Sequence, residues 1–321
     1  MDYPEFLQEI QKGIRAYLPE RYQDYKIEIH PSRKNNGVIL DGLIIQGKER
    51  IVPVIYLNDF FKQAENGADL SSVMKEIADL YENRRGTAPE FSEEIYQYDK
   101  VREHLIVTVC NAEKNRGLLK TVPHESREDL ALTYRIKRAG EPERGMESIL
   151  VKNSMLKYWG IEEQELREDA WNSMNRESPA SFRSMEDVLR EVFSKQAAAN
   201  PNLEPELMME AVPPLPLYVL TNAEGIWGAA YMFDREIMAG IAETLGQDLL
   251  ILPSSVHETL IIPEEPDMDM ENYLDLVRTV NAMELDPEDI LSDQIYRFDR
   301  KKQETSLVVL PGQAQGMGMK M

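Results

Sequence analysis

The sequence predicts an α+β fold, with antiparallel or mixed sheets built from hairpins, helices interspersed between them, and two subdomains. Three observations predict it. Strand-like runs rich in β-branched residues follow one another across short polar turns, which is the pattern of hairpins and not of alternating βαβ units. Apolar stripes at helical spacing recur between those runs. The chain has 321 residues, beyond the ~250–300 at which single cores usually stop growing.

The elements follow in order. Phe6, Leu7, Ile10, Ile14 and Leu18 make one helical stripe over residues 4–18. Tyr25–His30, Val38–Ile45 and Ile51–Leu57 read as strands, and Asn36-Gly37 supplies the strongest short hairpin signal in the chain. Helices are expected over Asp59–Ala64 and Leu70–Tyr81, the second capped by Asp69. Past a polar connection with Gly86 and Pro89, His104–Val109 is a strand and Glu113–Lys120 a short helix. Leu130–Ile136 and Ser148–Val151 follow as strands. Asn153 or Ser154 caps a helix to Trp159 that Gly160 ends, and Glu162–Met174 and Ser184–Phe193 are further helices.

Residues 194–216 change character, with an alanine run and then Pro201, Pro205, Pro213, Pro214 and Pro216, so a linker is expected there. The predicted layout is an N-terminal α+β region over 1–193, the linker over 194–216, a ββαββ-type region with a trailing helix over 217–310, and a disordered tail over 311–321. Within the third part, Leu217–Thr221 and Trp227–Met232 read as strands around the turn Asn222–Gly225. A helix capped by Asp234 runs to Leu245, where Gly246 stops it. Strands Asp248–Leu252 and Thr259–Ile262, a helix over Tyr273–Met283, a helical turn opened by Asp286-Pro287, and strands Ile295–Phe298 and Ser306–Leu310 complete it.

Acidic residues outnumber basic ones 57 to 36, a formal charge of −21. Such a field repels phosphate backbones and anionic lipid, so no direct nucleic-acid or membrane binding is expected, and a protein partner would be a basic one. A single cysteine excludes an internal disulfide, and no apolar run approaches the ~20 residues of a membrane span. Met1-Asp2-Tyr3-Pro4-Glu5 lacks the basic and apolar regions of a secretory signal, which points to the cytoplasm.

Several motifs imitate chemistry. Gly42-Leu43-Ile44-Ile45-Gln46-Gly47-Lys48 fits a phosphate loop, but Glu49 stands where a hydroxyl belongs and the segment is strand-like, so a hairpin is expected. His124-Glu125 and His257-Glu258 begin a zinc-protease motif whose second histidine is Glu128 in one case and Ile261 in the other. Asp267–Glu271 resembles the start of a calcium loop but has Asn272 for the glycine and Arg278 for the bidentate acid, so a helix entry is expected. No metal site and no cofactor follow from these residues. Cys110 ends an apolar strand and reads as a buried small hydrophobe. The remaining candidate is Leu252-Pro253-Ser254-Ser255-Val256-His257-Glu258. Ser255 and His257 share a face of an extended chain and Glu258 points away, which makes Ser255, His257 and Glu258 weak catalytic candidates. The competing reading is a turn between two strands, capped by Ser254 or Ser255.

Several stretches taken together carry a resemblance. They include Ala112-Glu113-Lys114-Asn115, Leu118–His124, Asp129-Leu130-Ala131, Ser148-Ile149-Leu150-Val151 and Trp159-Gly160-Ile161. Arg183–Leu189, Leu217–Asn222, Gly228-Ala229-Ala230 and Ile251–Glu258 complete the set. Over most of residues 1–265 the chain resembles a family of unknown function, family number 5688, common in anaerobic gut Firmicutes. The Leu-Pro-Ser-Ser-x-His-Glu stretch is the most specific part. The resemblance implies a bacterial cytoplasmic protein and transfers no activity, cofactor or catalytic residue. The expected function is a non-catalytic binding or accessory protein acting through protein contacts. Its alternatives are a hydrolase-like enzyme with a site around Ser255 and His257, and an acidic nucleic-acid mimic or regulator linked to mobile elements.

Overall fold

In a computed structural model of the chain, residues 1–47, 52–85, 93–137, 148–200, 204–210, 216–253 and 255–310 are described. The fold is α+β, and every strand pairing among these residues is antiparallel. The chain divides into two compact units, Met1–Ile95 and Tyr96–Met321.

In the first unit, α1 (Tyr3–Gly13) opens with a capping box: Asp2 accepts from the Glu5 N–H and Glu5 reaches back to the Asp2 N–H. Its apolar stripe buries Phe6 and Ile10 and continues through Ile14 in a following 3-10 turn. The strands β1 (Lys26–Arg33), β2 (Ile39–Gln46) and β3 (Val54–Tyr56) form a three-stranded sheet. Between β1 and β2, Asn36 and Gly37 both take left-handed backbone, as a tight hairpin requires. The phosphate-like motif lies in β2 up to Gln46, paired with β1 on one side and β3 on the other, so its backbone N–H groups serve a sheet. Lys48 and Glu49 lie outside the described residues. The helices α2 (Asn58–Glu65) and α3 (Leu70–Arg85) follow, and Asp69 caps the second through the Ser71 and Ser72 N–H groups. Leu43, Ile45, Val73, Ile77 and Tyr81 close the core with α1.

The second unit holds two sheets. β4 (Leu105–Asn111), β5 (His124–Arg127), β6 (Leu130–Lys137) and β7 (Ser148–Leu150) form the first, with β6 in the middle. The short helices α4 (Tyr98–Val101) and α5 (Arg116–Leu119) flank β4. Then come α6 (Asn153–Trp159), closed by left-handed Gly160, and α7 (Glu163–Glu177), which packs along β4. The residue before α6 is Lys152, and neither Asn153 nor Ser154 caps it.

β8 (Ala180–Ser184) leads into α8 (Met185–Ala199), capped by Ser184, and α9 (Pro205–Glu210) follows. Helix therefore covers 194–199 and 205–210 of the stretch expected as a linker, because proline at the first position of α9 costs no hydrogen bond. Residues 201–203 and 211–215 lie outside the described residues, as does the tail. The second sheet adds β9 (Tyr218–Asn222), β10 (Leu249–Leu252), β11 (Thr259–Pro263), β12 (Tyr296–Asp299) and β13 (Glu304–Leu307) in the order β13-β12-β10-β11-β9-β8. α10 (Arg235–Leu245) is capped by Asp234 and ended by left-handed Gly246; α11 (Met270–Met283) is capped by Asp269, which fills the calcium-like segment's role.

Two of the expected elements take another form. Residues Gly228–Phe233 form a 3-10 helix and not a returning strand, because Trp227 is left-handed and turns the chain before it can pair. The segment after Asp286-Pro287 is a single hydrogen-bonded turn, Asp289 N–H to Asp286 O, with no helix after it.

Candidate functional site

The site is built around the connection from β10 to β11. Ser255 is 6% exposed and its Oγ accepts the His257 N–H at 3.0 Å, a local turn that closes on itself through Ser255 N–H to Glu258 O. Ser255 also bridges to Ile290, and the Val256 N–H donates to Asp289 O. This pairing fixes the 286–290 turn beside the β10–β11 connection. Ser254 lies outside the described residues.

His257 is the hub. Its carbonyl accepts from the Thr221 hydroxyl at 2.8 Å and from the Gly228 N–H at 2.9 Å. Its Nδ1 accepts the Trp227 N–H at 3.2 Å, which puts the ring proton on Nε2, and Nε2 faces Asp289 Oδ1 at 3.4 Å. A serine hydrolase needs the reverse: Nδ1–H held by the acid and Nε2 free to take a hydroxyl proton. Here neither nitrogen has a lone pair to offer Ser255, and the Ser255 hydroxyl makes no hydrogen bond to the ring. The structure brings His257 to a carboxylate, but that carboxylate is Asp289 and not Glu258. Glu258 is half-buried with no hydrogen-bond or ion-pair partner among the described residues, and burial pushes its carboxyl up, with the neighbouring His257 opposing in part.

The turn His257 holds carries Trp227 and Gly228. A Cβ on Gly228 would collide with the Asn222 backbone nitrogen, so only glycine allows this approach of backbone to backbone. Trp227, with φ 59°, is strained for an aromatic residue, and the His257 hydrogen bond helps hold it there. Across from it, β6 projects Thr133, Arg135 and Lys137 on one face. Lys137 reaches Glu224 and the Ser178 hydroxyl. Arg135 lies over the Trp227 ring, 4.9 Å from its centroid, and its Nε donates to Ser148 Oγ at 2.7 Å. Burial lowers the Arg135 guanidinium's hold on its proton.

The other motifs resolve differently. His124-Glu125 lies in β5, where alternate side chains point to opposite faces, and Glu125 pairs with Arg127 and Arg167. Cys110 is buried beside Leu119, Val122 and Ala131, and burial pushes its thiol up to about 12. Among the described residues no three His, Cys, Asp or Glu side chains converge as a metal site would, and no helix is long and apolar enough to cross a membrane.

Asp289, Trp227, Arg135 and Ser148 were not legible as site residues. Asp289 reads as part of a helix entry and Trp227 as a strand anchor. Arg135 was the one available signal, since an arginine interrupts the otherwise apolar run of β6.

Residues 3–300 match a family of unknown function, DUF5688, and the chain belongs to that family. No curated protein and no solved structure matches it.

Proposed function

We propose that the chain is a non-catalytic binding or accessory protein acting through protein contacts. The observation that carries this reading is the state of His257: both ring nitrogens are engaged and the nearby Ser255 hydroxyl is an acceptor within its own turn. The segment most suggestive of catalysis therefore does structural work, fixing Trp227 and the 286–290 turn. A contact surface is supported by Tyr96 and Tyr158, which are 59% and 66% exposed and meet edge-on at 5.1 Å. Aromatic residues are enriched in interfaces because they bury large area at little entropic cost.

Affinity purification of the tagged full chain from its native host should return a stoichiometric partner, basic in charge. The Tyr96→Ser/Tyr158→Ser variant should lose that partner while melting at the same temperature. A lone monomer, or an ester hydrolysis abolished by Ser255→Ala, would contradict the reading.

A further inference from the structure

Two cations leave β6 on the same face, two residues apart, and their surroundings differ. Lys137 is neutralised by Glu224. Arg135, half-buried, has no carboxylate within ion-pair distance among the described residues, and its hydrogen bond to Ser148 uses only Nε. A desolvated charge without a counter-charge is costly. Stacking on an indole leaves the outer edge of a guanidinium, Nη1 and Nη2, free for paired donation to two oxygens, the geometry that suits carboxylate and phosphate. The platform beneath it is preorganised, because Trp227 is held left-handed by His257 and by the tight fit of Gly228.

We propose that the Nη edge of Arg135, backed by Trp227 and fixed through Nε by Ser148, is a binding site for the oxyanion of a small ligand, a carboxylate or phosphate group. His257 is a positioning residue for that site. The inference goes beyond the protein-contact reading and does not depend on it: a partner recovered without any anion binding would overturn only the present proposal.

The test is titration of the full chain, followed by tryptophan emission and by calorimetry, with inorganic phosphate in one arm and succinate in the other. Sodium chloride at matched ionic strength is the reference. At least one anion is expected to give a saturable response absent with chloride, and the responding arm identifies the source of the oxyanion. Arg135→Gln should weaken that binding at least tenfold. Arg135→Lys, which keeps the charge and loses the paired donors, should weaken it by a similar factor and serves if the first variant does not fold. His257→Asn should weaken it less, with a changed Trp227 emission in the unliganded chain. No saturable response in either arm, or Arg135→Gln and Arg135→Lys both binding as tightly as the parent, would overturn the proposal.

Discussion

Next to its start β6 reaches β12 through Asp129, and near its end it reaches the 222–228 turn through Arg135 and Lys137; the two joints treat polar groups in opposite ways. At its start, Asp129 accepts from the Ser292 hydroxyl at 2.6 Å and from the Tyr296 hydroxyl, and both donors are buried. Burial and the Asp129 charge raise the Tyr296 phenol's hold on its proton, which keeps it a donor to Asp129. Asn111 adds a bond to Leu291 O, while the buried Asn281 Oδ1 and, next to Tyr296, the buried Arg297 Nε have no partner among the described residues. Six residues on, about 20 Å along an extended strand, Arg135 hydrogen-bonds through Nε alone, and among the described residues the half-buried Glu258 carboxylate and the buried Thr259 Oγ1 have no hydrogen-bond partner. The first joint closes its hydrogen bonds around one carboxylate. The second keeps polar capacity in reserve, which costs stability and is what a recognition site needs.

Substitutions should separate the two. The largest effect is expected at the hinge of the open joint. Gly228→Ala should cost about 3 kcal/mol in chemical denaturation, since its Cβ meets backbone that has nowhere to move. At the closed joint, Asp129→Ala should cost about 2 kcal/mol, because it strands two buried hydroxyls. Thr259→Val should gain about 1 kcal/mol by replacing an unsatisfied buried hydroxyl with an isosteric methyl. A loss there would mean the hydroxyl is satisfied in solution and the joint less open than described.

The smallest effect is a pH dependence. Burial raises the Glu258 carboxyl above its ordinary value of 4.5, so folding favours the protonated form. Its contribution is fully present below the unfolded value and is lost as the pH rises through the folded one. Glu258→Gln should therefore melt higher than the parent at pH 7, and the difference should vanish as the pH falls well below 4.5. An equal difference at both values would remove Glu258 from the account.

What the sequence made legible follows the same division between local and distant causes. The caps at Asp69, Ser184 and Asp234 and the stops at Gly160 and Gly246 act within one helical turn, and each stands where its residue type places it. β5 and β8 were missed because both are short edge strands of mostly polar or small residues, with no alternation to announce them. The run Gly228–Met232 is buried throughout, and a continuously apolar segment has no period by which to tell strand from helix. Its conformation is decided by Gly228 against Asn222 and by His257, contacts from elsewhere in the chain. The site was half legible: Ser255, His257 and Glu258 mark the place, but the groups that give it character come from β6, the 222–228 turn and Asp289.

The central claim is that one end of β6 holds the sheets together and the other is kept open for a ligand. Parallel urea denaturation of Asp129→Asn and Arg135→Gln, without added anion, tests it most directly. Asp129→Asn should lose about 1–3 kcal/mol, whereas Arg135→Gln should lose nothing measurable, since it removes a charge that burial already penalises. Arg135→Gln losing as much as Asp129→Asn would show that both ends are structural joints and would contradict the account.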